Sequence, residues 1–174
     1  MENMDIFISQ NSIQNKVKEI ANKIDNDYKD EEVIIISILK GAIYFTMDLV
    51  KNINNPNIQL DFMKVSSYKN NIESNNEIDF QLDISIDITN KNIIIVDDIL
   101  DTGYTMQFLY NYLAKKNPKS IKTCVLLNKP ERRIININAD YVGFDIKNEF
   151  VIGYGLDYDE KYRNLPHISY IKRK

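Results

Sequence analysis

The chain has 174 residues, a formal net charge of −3 and a pI near 5.3, so its length predicts one domain over residues 1–174 and its acidity argues against general nucleic-acid binding. No apolar run approaches the ~20 residues of a membrane span, and residues 1–9 lack both the basic region and the apolar stretch of a secretory signal. We therefore expect a cytoplasmic protein with neither a nucleic-acid nor a membrane partner.

The first third of the chain predicts a helix followed by a strand and a second helix. Apolar residues recur at helical spacing after a possible cap at Ser9 or Ser12. Residues 33–39 are an almost unbroken apolar run, which is typical of a strand buried on both faces in a parallel sheet. After Gly41 the apolar spacing becomes helical again and ends before Asn54. This is the pattern of a βα unit.

Two segments with alternating apolar and polar residues follow, at 58–62 and 82–88. The alternation predicts two half-exposed strands, which we expect to pair antiparallel. Residues 66–79 between them are polar, rich in Asn and long for a hairpin connection. Taken by itself, this segment is either an active-site lid or a mobile loop.

The rest of the chain repeats the alternation of strand and helix. Met106, Leu109 and Leu113 share one face of a predicted helix that ends before Pro118. Cys124 has apolar neighbours, which predict a buried thiol rather than a nucleophile. Four apolar segments predict further strands, namely residues 93–96, 123–127, 141–144 and 150–152. The alternation predicts an α/β fold with a mainly parallel central sheet flanked by helices.

Acidic, hydroxyl-bearing and glycine residues follow the predicted strand at 93–96. Ligands of parallel sheets bind beyond the carboxyl ends of the strands. The adjacent carboxylates of Asp97 and Asp98 repel each other unless water, sugar hydroxyls or a cation is near. Residues 101–105 predict a turn into a helix N-terminus, where free N–H groups suit an anion. The combination predicts a sugar-phosphate site, and the alternative is an acidic helix cap.

Other phosphate-binding motifs are absent from the sequence. It contains neither the GxxxxGKS/T pattern of P-loop proteins nor a GxGxxG after a strand. Asp98 and Asp101 are three positions apart, whereas a DxDxT phosphatase has its acids two apart. These absences argue against a P-loop nucleotidase, a dinucleotide-binding fold and an aspartyl-phosphate phosphatase.

Residues 94–105, with the sequence IIVDDILDTGYT, resemble the phosphoribosyl-diphosphate-binding signature of the type I phosphoribosyltransferases. Further segments match this family in the same order over nearly the whole chain, and the match is strongest to its hypoxanthine-guanine branch. The resemblance implies the α/β fold above with a small hood and a flexible lid loop. The lid residues would be Ser67 and Tyr68, which supports the lid interpretation of the polar segment.

The resemblance also implies which residues bind the phosphorylated sugar and the leaving group. Lys40 and Gly41 match a diphosphate loop in which a cis peptide exposes backbone amides, although a Lys-Gly pair is otherwise common in βα turns. Arg163, in the matching segment 153–163, would approach the diphosphate. The implied phosphoribosyl and 5′-phosphate contacts are Asp97, Asp98, Asp101, Thr102, Gly103, Tyr104 and Thr105.

The purine base would be read by two further segments. Lys129 would donate to a 6-oxo group, and an ammonium donor favours oxo-purines over adenine because an exocyclic amine cannot accept that bond. Phe150 would stack on the base, with the backbone of Val151 alongside. The alternatives are a solvated basic turn at 129–133 and an ordinary core phenylalanine.

The implied reaction moves the 5-phosphoribosyl group from phosphoribosyl diphosphate to N9 of hypoxanthine or guanine, giving IMP or GMP and diphosphate. Asp101 is the candidate catalytic residue, because it would accept or steer the proton at N7. Mg²⁺ is the implied cofactor, held by Asp97, Asp98 and Asp157, with the first two acting directly or through water. The resemblance also implies a homodimer or homotetramer.

Two positions depart from the commoner family patterns, and two other functions stay open. Asp97 stands where Glu is frequent, and Tyr104 stands where Lys or a small residue is frequent. We expect the Tyr104 ring to point outward while its N–H binds phosphate. The preference among hypoxanthine, guanine and xanthine is therefore open. The alternatives are a xanthine-preferring transferase and a nucleotide-sensing, RNA-binding regulator on the same fold.

Overall fold

The computed structural model describes residues 4–67 and 78–171. Its helices are α1 (Gln10–Tyr28), α2 (Ile43–Asn52) and α3 (Tyr104–Ala114), with a 3₁₀ turn at Pro130–Arg132. Its strands are β1 (Met4–Ile8), β2 (Val33–Ile38), β3 (Ile58–Ser67), β4 (Ile78–Leu82), β5 (Asn92–Leu100), β6 (Ser120–Asn128), β7 (Tyr141–Asp145), β8 (Val151–Ile152) and β9 (Ile168–Ile171).

A six-stranded central sheet forms the middle layer of the described residues, in the order β4-β3-β2-β5-β6-β7. β2, β3, β5, β6 and β7 pair parallel, and β4 pairs antiparallel with β3 at one edge. The predicted mainly parallel sheet, flanked by helices, is confirmed.

The apolar strands of this sheet are buried on both faces. Side chains alternate along a strand, so Val33 and Ile35 pack in one apolar cluster with residues of α1 and α2. Ile34 and Ile36 pack in the opposite cluster with residues of α3. An unbroken apolar run such as β2 is therefore stable only with a helical layer on each side.

The helices begin and end where their flanking residues predict. Ser9, rather than Ser12, caps α1, because its hydroxyl accepts the Ser12 N–H at 3.2 Å. α2 ends two residues before Asn54, and α3 buries Met106, Leu109 and Leu113. In the described ranges no helix is both long enough and apolar enough for a membrane span.

The prediction of a strand over residues 82–88 is wrong for most of that segment. β4 ends at Leu82, although it does pair antiparallel with β3. The N–H groups of Ser85 and Ile86 instead donate to the Asp61 carboxylate at 2.7 and 2.9 Å. A side chain thus satisfies backbone donors that a neighbouring strand would otherwise pair, while Ile84 and Ile86 still pack against the core.

A second, three-stranded antiparallel sheet joins the two ends of the described chain, in the order β1-β9-β8. It provides the small hood, although the residues themselves predicted neither β1 nor β9. The lid residue Tyr68 and residues 69–77 lie outside the described residues. Ser67 is the last residue of β3 and its backbone pairs with Ile78.

Candidate active site

The carboxyl ends of neighbouring parallel strands bring the predicted site residues to one edge of the central sheet. The register places Ser37 of β2 beside Val96 of β5, and Leu100 of β5 beside Asn128 of β6. The residues after these strands therefore meet. Directly after β6, the Lys129 N–H donates to the Leu100 carbonyl at 3.0 Å.

An open pocket of about 280 Å³ lies at the end of β5. Ile38 and Val65, which no motif singled out, contribute to its apolar wall. The Tyr104 side chain is 42 % exposed and does not line the pocket. Six of the seven residues expected to bind the phosphoribosyl group do line it, namely Asp97, Asp98, Asp101, Thr102, Gly103 and Thr105.

The turn between β5 and α3 has the geometry of an anion-binding helix N-terminus. Gly103 caps the helix with φ 94°, a left-handed conformation that favours glycine. In the described part of the chain, the N–H groups of residues 102–105 donate no hydrogen bond, and the first helical bond is Gln107 N–H to Gly103 at 2.9 Å. Four backbone donors at this helix N-terminus therefore have no partner within the described residues, which suits the binding of an anion.

Asp97 and Asp98 form a buried acidic pair at the inner end of the pocket. The Asp98 N–H donates to Asp97 Oδ1 at 2.9 Å. Burial and repulsion from Asp98 raise the pKa of Asp97 well above its ordinary value. Burial also raises the pKa of Asp98, and the positive charge of Arg163 partly offsets this effect. Positive charge within the chain therefore compensates the pair only in part.

The loop after β2 approaches this acidic pair closely. The Leu39–Lys40 peptide is cis, as the family resemblance implied. A Cβ atom at Gly41 would lie 1.7 Å from Asp98 Oδ2, so only glycine fits there. None of the described hydrogen bonds uses the N–H of Lys40 or Gly41 as a donor. The loop thus offers backbone donors beside the acids.

The segment that contains Asp157 and Arg163 packs against the same loop. A Cβ at Gly155 would lie 2.0 Å from the Gly41 carbonyl oxygen, and Gly155 has φ 100°. Arg163 donates to the Gly155 carbonyl at 2.7 Å and pairs with Asp157 at 2.8 Å. Its Nη2 also lies 3.1 Å from a carboxylate oxygen of Glu160. The loop, the acidic pair and this segment therefore form one site.

Asp101, the candidate catalytic residue, is held by two arginines. Arg132 Nε donates to Asp101 Oδ1 at 2.6 Å, with both side chains about 40 % exposed. Arg133 donates to the Asp101 carbonyl and to the Asn128 side chain. The arginines after β6 therefore set the position of Asp101.

The residues expected to read the base lie beside this arrangement. Lys129 is only 8 % exposed, and its Nζ donates to the Glu149 carbonyl at 2.8 Å, so it does not lie in a solvated turn. Burial lowers the pKa of Lys129. Phe150 is 41 % exposed and meets Tyr158 edge-on at 5.7 Å between ring centroids, whereas Val151 is buried in β8. A half-exposed ring next to a buried ammonium suits a flat, polar-edged ligand.

The model of the phosphoribosyl transferase domain family matches residues 9–159. The chain belongs to this family. The hypoxanthine-guanine phosphoribosyltransferase of Streptococcus thermophilus is 40 % identical over 169 residues, which cover 97 % of this chain and 93 % of that protein. The Aquifex aeolicus protein of the same name is 42 % identical over 168 residues, which cover 96 % of this chain and 94 % of that protein.

Solved structures of phosphoribosyltransferases share the fold described above. The hypoxanthine-guanine phosphoribosyltransferase of Bacillus anthracis superposes with a TM-score of 0.93 at 44 % identity, covering 98 % of this chain and 99 % of the other. The hypoxanthine phosphoribosyltransferase of Staphylococcus aureus gives 0.92 at 40 % identity, covering 97 % and 91 %.

The acids of this phosphoribosyltransferase have the chemistry to hold a magnesium ion together with phosphate oxygens. The described residues contain no cluster of three or more acidic, histidine or cysteine side chains that could hold a metal. Mg²⁺ rarely needs such a cage, because it keeps several waters and is often held by one or two carboxylates plus phosphate oxygens. Asp97 and Asp98 are hard oxygen donors in need of positive charge. The two oxygens of Asp157 contact Arg163 and the Glu160 N–H.

Sequence reasoning missed several polar contacts of this phosphoribosyltransferase site. It assigned no role to Arg132, to Glu160 or to the carbonyl of Glu149. Arg132 and Glu160 belong to segments that the family resemblance had marked, and Glu149 directly precedes another, so their neighbourhood was visible. Their partners were not, because each contact joins residues far apart in sequence or depends on the conformation of a turn. Cys124 is buried, and burial raises the pKa of its thiol, as expected for a structural residue.

Proposed function

We propose that this phosphoribosyltransferase transfers the 5-phosphoribosyl group from phosphoribosyl diphosphate to N9 of hypoxanthine or guanine. The products are IMP or GMP and diphosphate, which makes the protein a purine-salvage enzyme. The observation that carries the proposal is the pocket at the end of β5, in which free N–H groups of residues 102–105 lie next to the buried acids Asp97 and Asp98. Its relatives with closely similar chains bear the name of this activity.

The phosphorylated sugar would bind along residues 97–105. The N–H groups of 102–105 would hold the 5′-phosphate, since they form a helix N-terminus without other partners. The carboxylates of Asp97 and Asp98 would accept hydrogen bonds from the ribose hydroxyls. Their negative charge would also stabilise the positive charge that develops on the ribose carbon as the leaving group departs.

The diphosphate would leave toward the loop after β2. The N–H groups of Lys40 and Gly41 and the side chain of Arg163 are its proposed donors. Asp97, Asp98 and Asp157 would hold Mg²⁺, and the bound ion would offset charge on the leaving group. Ser67 and Tyr68 are the proposed lid over the reacting centre.

The purine would lie between Phe150 and Asp101. Lys129 now donates to a backbone carbonyl, and a 6-oxo group would offer the ammonium a second acceptor. The carbonyl of Val151 would meet the edge of the base, and Asp101 would accept or steer the proton at N7. Since an amino group cannot accept from Lys129, we expect adenine to be a poor substrate.

The surroundings of the reaction are also proposals. We propose a cytoplasmic enzyme that acts as a homodimer or homotetramer, without a nucleic-acid or membrane partner. Light scattering of the purified protein measures the oligomeric state directly. A monomer at assay concentrations would contradict that part of the proposal.

The purified protein should be incubated with phosphoribosyl diphosphate, Mg²⁺ and each of hypoxanthine, guanine, xanthine and adenine, with nucleotide formation followed by chromatography. We expect IMP or GMP to form and adenine to give little product. Fastest turnover of xanthine would instead assign a xanthine-preferring transferase. No nucleotide from any base, together with tight and salt-sensitive RNA binding, would assign a regulator.

A further inference from the structure

We propose that Glu160 lowers the affinity of the site for diphosphate. Its carboxylate pairs with two cations near the proposed leaving-group site, and these pairs must break when diphosphate binds. The inference rests on the proposed function, since that function assigns the backbone N–H of Lys40 and the side chain of Arg163 to the diphosphate, which places the Lys40 ammonium near the leaving group as well. It concerns a residue to which the family resemblance gave no role.

One carboxylate oxygen of Glu160 bridges the two cations. Glu160 Oε2 lies 3.0 Å from Lys40 Nζ and 3.1 Å from Arg163 Nη2. Lys40 follows β2, whereas Glu160 and Arg163 lie in the turn before β9, so the contact ties two distant segments together. An oxygen anion between a lysine and an arginine has the same chemistry as a phosphate oxygen.

The turn that carries Glu160 aims its carboxylate at these cations. Asp159, Glu160 and Tyr162 have φ values of 53°, 59° and 71°, which lie in the left-handed region that these residue types rarely adopt. The Glu160 N–H donates to Asp157 Oδ2 at 2.9 Å. The side chain therefore starts from a defined backbone position, and it is 65 % exposed, so solvent can reach the carboxylate.

The charge of Glu160 is present at neutral pH. A glutamate carboxyl group has an ordinary pKa of about 4.3 and is ionised at neutral pH, and this carboxylate contacts two cations. Diphosphate must therefore displace an ionised group, and the displaced carboxylate then adds repulsion to the bound anion. Both effects weaken diphosphate binding and favour its release as a product.

Titration calorimetry with inorganic diphosphate and Mg²⁺ tests this inference on the full chain. Glu160→Gln removes the charge and keeps the side-chain length. Exposed ion pairs are weak, so we expect diphosphate to bind about two- to fivefold more tightly to this variant. Unchanged or weaker binding would overturn the inference.

Asp159→Asn is the matched control, because it removes one negative charge from the same turn. Its carboxylate lies 3.8 Å from Lys161 and is 81 % exposed. Asn also tolerates the left-handed backbone of this position. We expect its diphosphate affinity to stay near that of the unmodified protein. An equal gain in both variants would show a general charge effect and would overturn the inference.

A second comparison tests the contact itself. In a Lys40→Met background, Glu160→Gln should increase diphosphate affinity by a smaller factor than in the unmodified chain, because one displaced cation is gone. An undiminished factor would contradict the bridging role. Failure of this inference differs from failure of the proposed function, since the latter appears as the absence of nucleotide product in the purine assay.

Discussion

Asp61 and Asp97 are both buried, with 8 % and 9 % of their surface exposed. The pKa of Asp61 is nevertheless lowered relative to an ordinary aspartate, whereas the pKa of Asp97 is raised. Burial acts to raise the pKa of Asp61, but N–H groups of Ile86, Phe62 and Ser85 donate to its carboxylate and lower the pKa overall. Burial and the neighbouring Asp98 raise the pKa of Asp97. Asp61 stabilises a chain segment, whereas burial and repulsion disfavour the charged form of Asp97, which therefore needs an external partner.

The comparison distinguishes a structural acid from a functional one. Asp61 is satisfied within the chain, since it replaces a neighbouring strand as the acceptor for residues 85 and 86. Asp97 accepts an N–H from its own neighbour Asp98, which is itself acidic. Ligands that supply hydroxyl groups or a cation would relieve this deficit, which is why burial without compensation points to a site.

Asp101 is a third kind of acid, because it pairs with Arg132 and also lines the pocket. Its substitution has the largest expected effect, which is on turnover. We expect Asp101→Ala to lower kcat by about 10²–10⁴-fold, because the residue would take part in proton transfer, while substrate binding persists. Steady-state kinetics with hypoxanthine and direct binding of phosphoribosyl diphosphate check both statements.

Arg132→Gln is the control for Asp101→Ala. It breaks the same 2.6 Å contact and leaves the carboxylate in place, so we expect a much smaller loss of kcat. Near-normal turnover of Asp101→Ala, or equal losses in the two variants, would remove the catalytic role assigned to Asp101.

Asp61→Asn should destabilise the protein. The amide keeps one acceptor oxygen but turns a donor toward N–H groups that the carboxylate now satisfies, at a cost of about 1–3 kcal/mol. Urea denaturation measures the loss. Ser85→Ala, which removes only the 3.3 Å hydroxyl contact, should cost less. A loss no greater than that of Ser85→Ala would show that the backbone contacts contribute little.

The pH dependence of this stability has a defined sign. The folded protein lowers the pKa of Asp61, so its contribution is present above the pKa of the unfolded chain and is lost as pH falls through the folded value. The difference in unfolding free energy between the unmodified protein and Asp61→Asn should therefore narrow below pH ~4. If this difference in unfolding free energy instead increased as the pH falls, the stabilising role of the ionised Asp61 carboxylate would be contradicted.

Asp97→Asn has the smallest expected effect, and we expect it to stabilise the protein, whereas Asp61→Asn destabilises it. Neutralising one member of the acidic pair removes repulsion, and the amide oxygen can still accept the Asp98 N–H. We expect the unfolding free energy of the ligand-free protein to rise by on the order of 1 kcal/mol in metal-free buffer, while turnover falls. Destabilisation comparable to that of Asp61→Asn would erase the distinction between the two acids.

Much of the fold follows from local apolar patterns. β2, β5 and α1 carry long periodic runs, and their predicted positions agree with the structure to within a few residues. For residues 83–88 the same reasoning gave the wrong prediction. Alternation shows which side chains are buried, but it does not show whether a strand or the Asp61 carboxylate accepts the backbone N–H groups. β1 and β9 depend on pairing between the two ends of the chain, which no local window contains.

The location of the site could be predicted from the sequence, whereas some of its contacts could not. Its location at the end of β5 follows from the order of strands and the position of Asp97 and Asp98. The contacts of Glu160 could not be predicted, because the segment 157–163 holds several charged residues and its left-handed turns decide which of them reach Lys40. Long-range charge pairing therefore required the structure.

A crystal structure with bound inosine monophosphate tests the central claim most directly. The account predicts the 5′-phosphate at the N–H groups of residues 102–105, with the ribose hydroxyls on Asp97 and Asp98. An empty pocket at the end of β5 in crystals soaked with the nucleotide, or a nucleotide bound elsewhere on the protein, would contradict it.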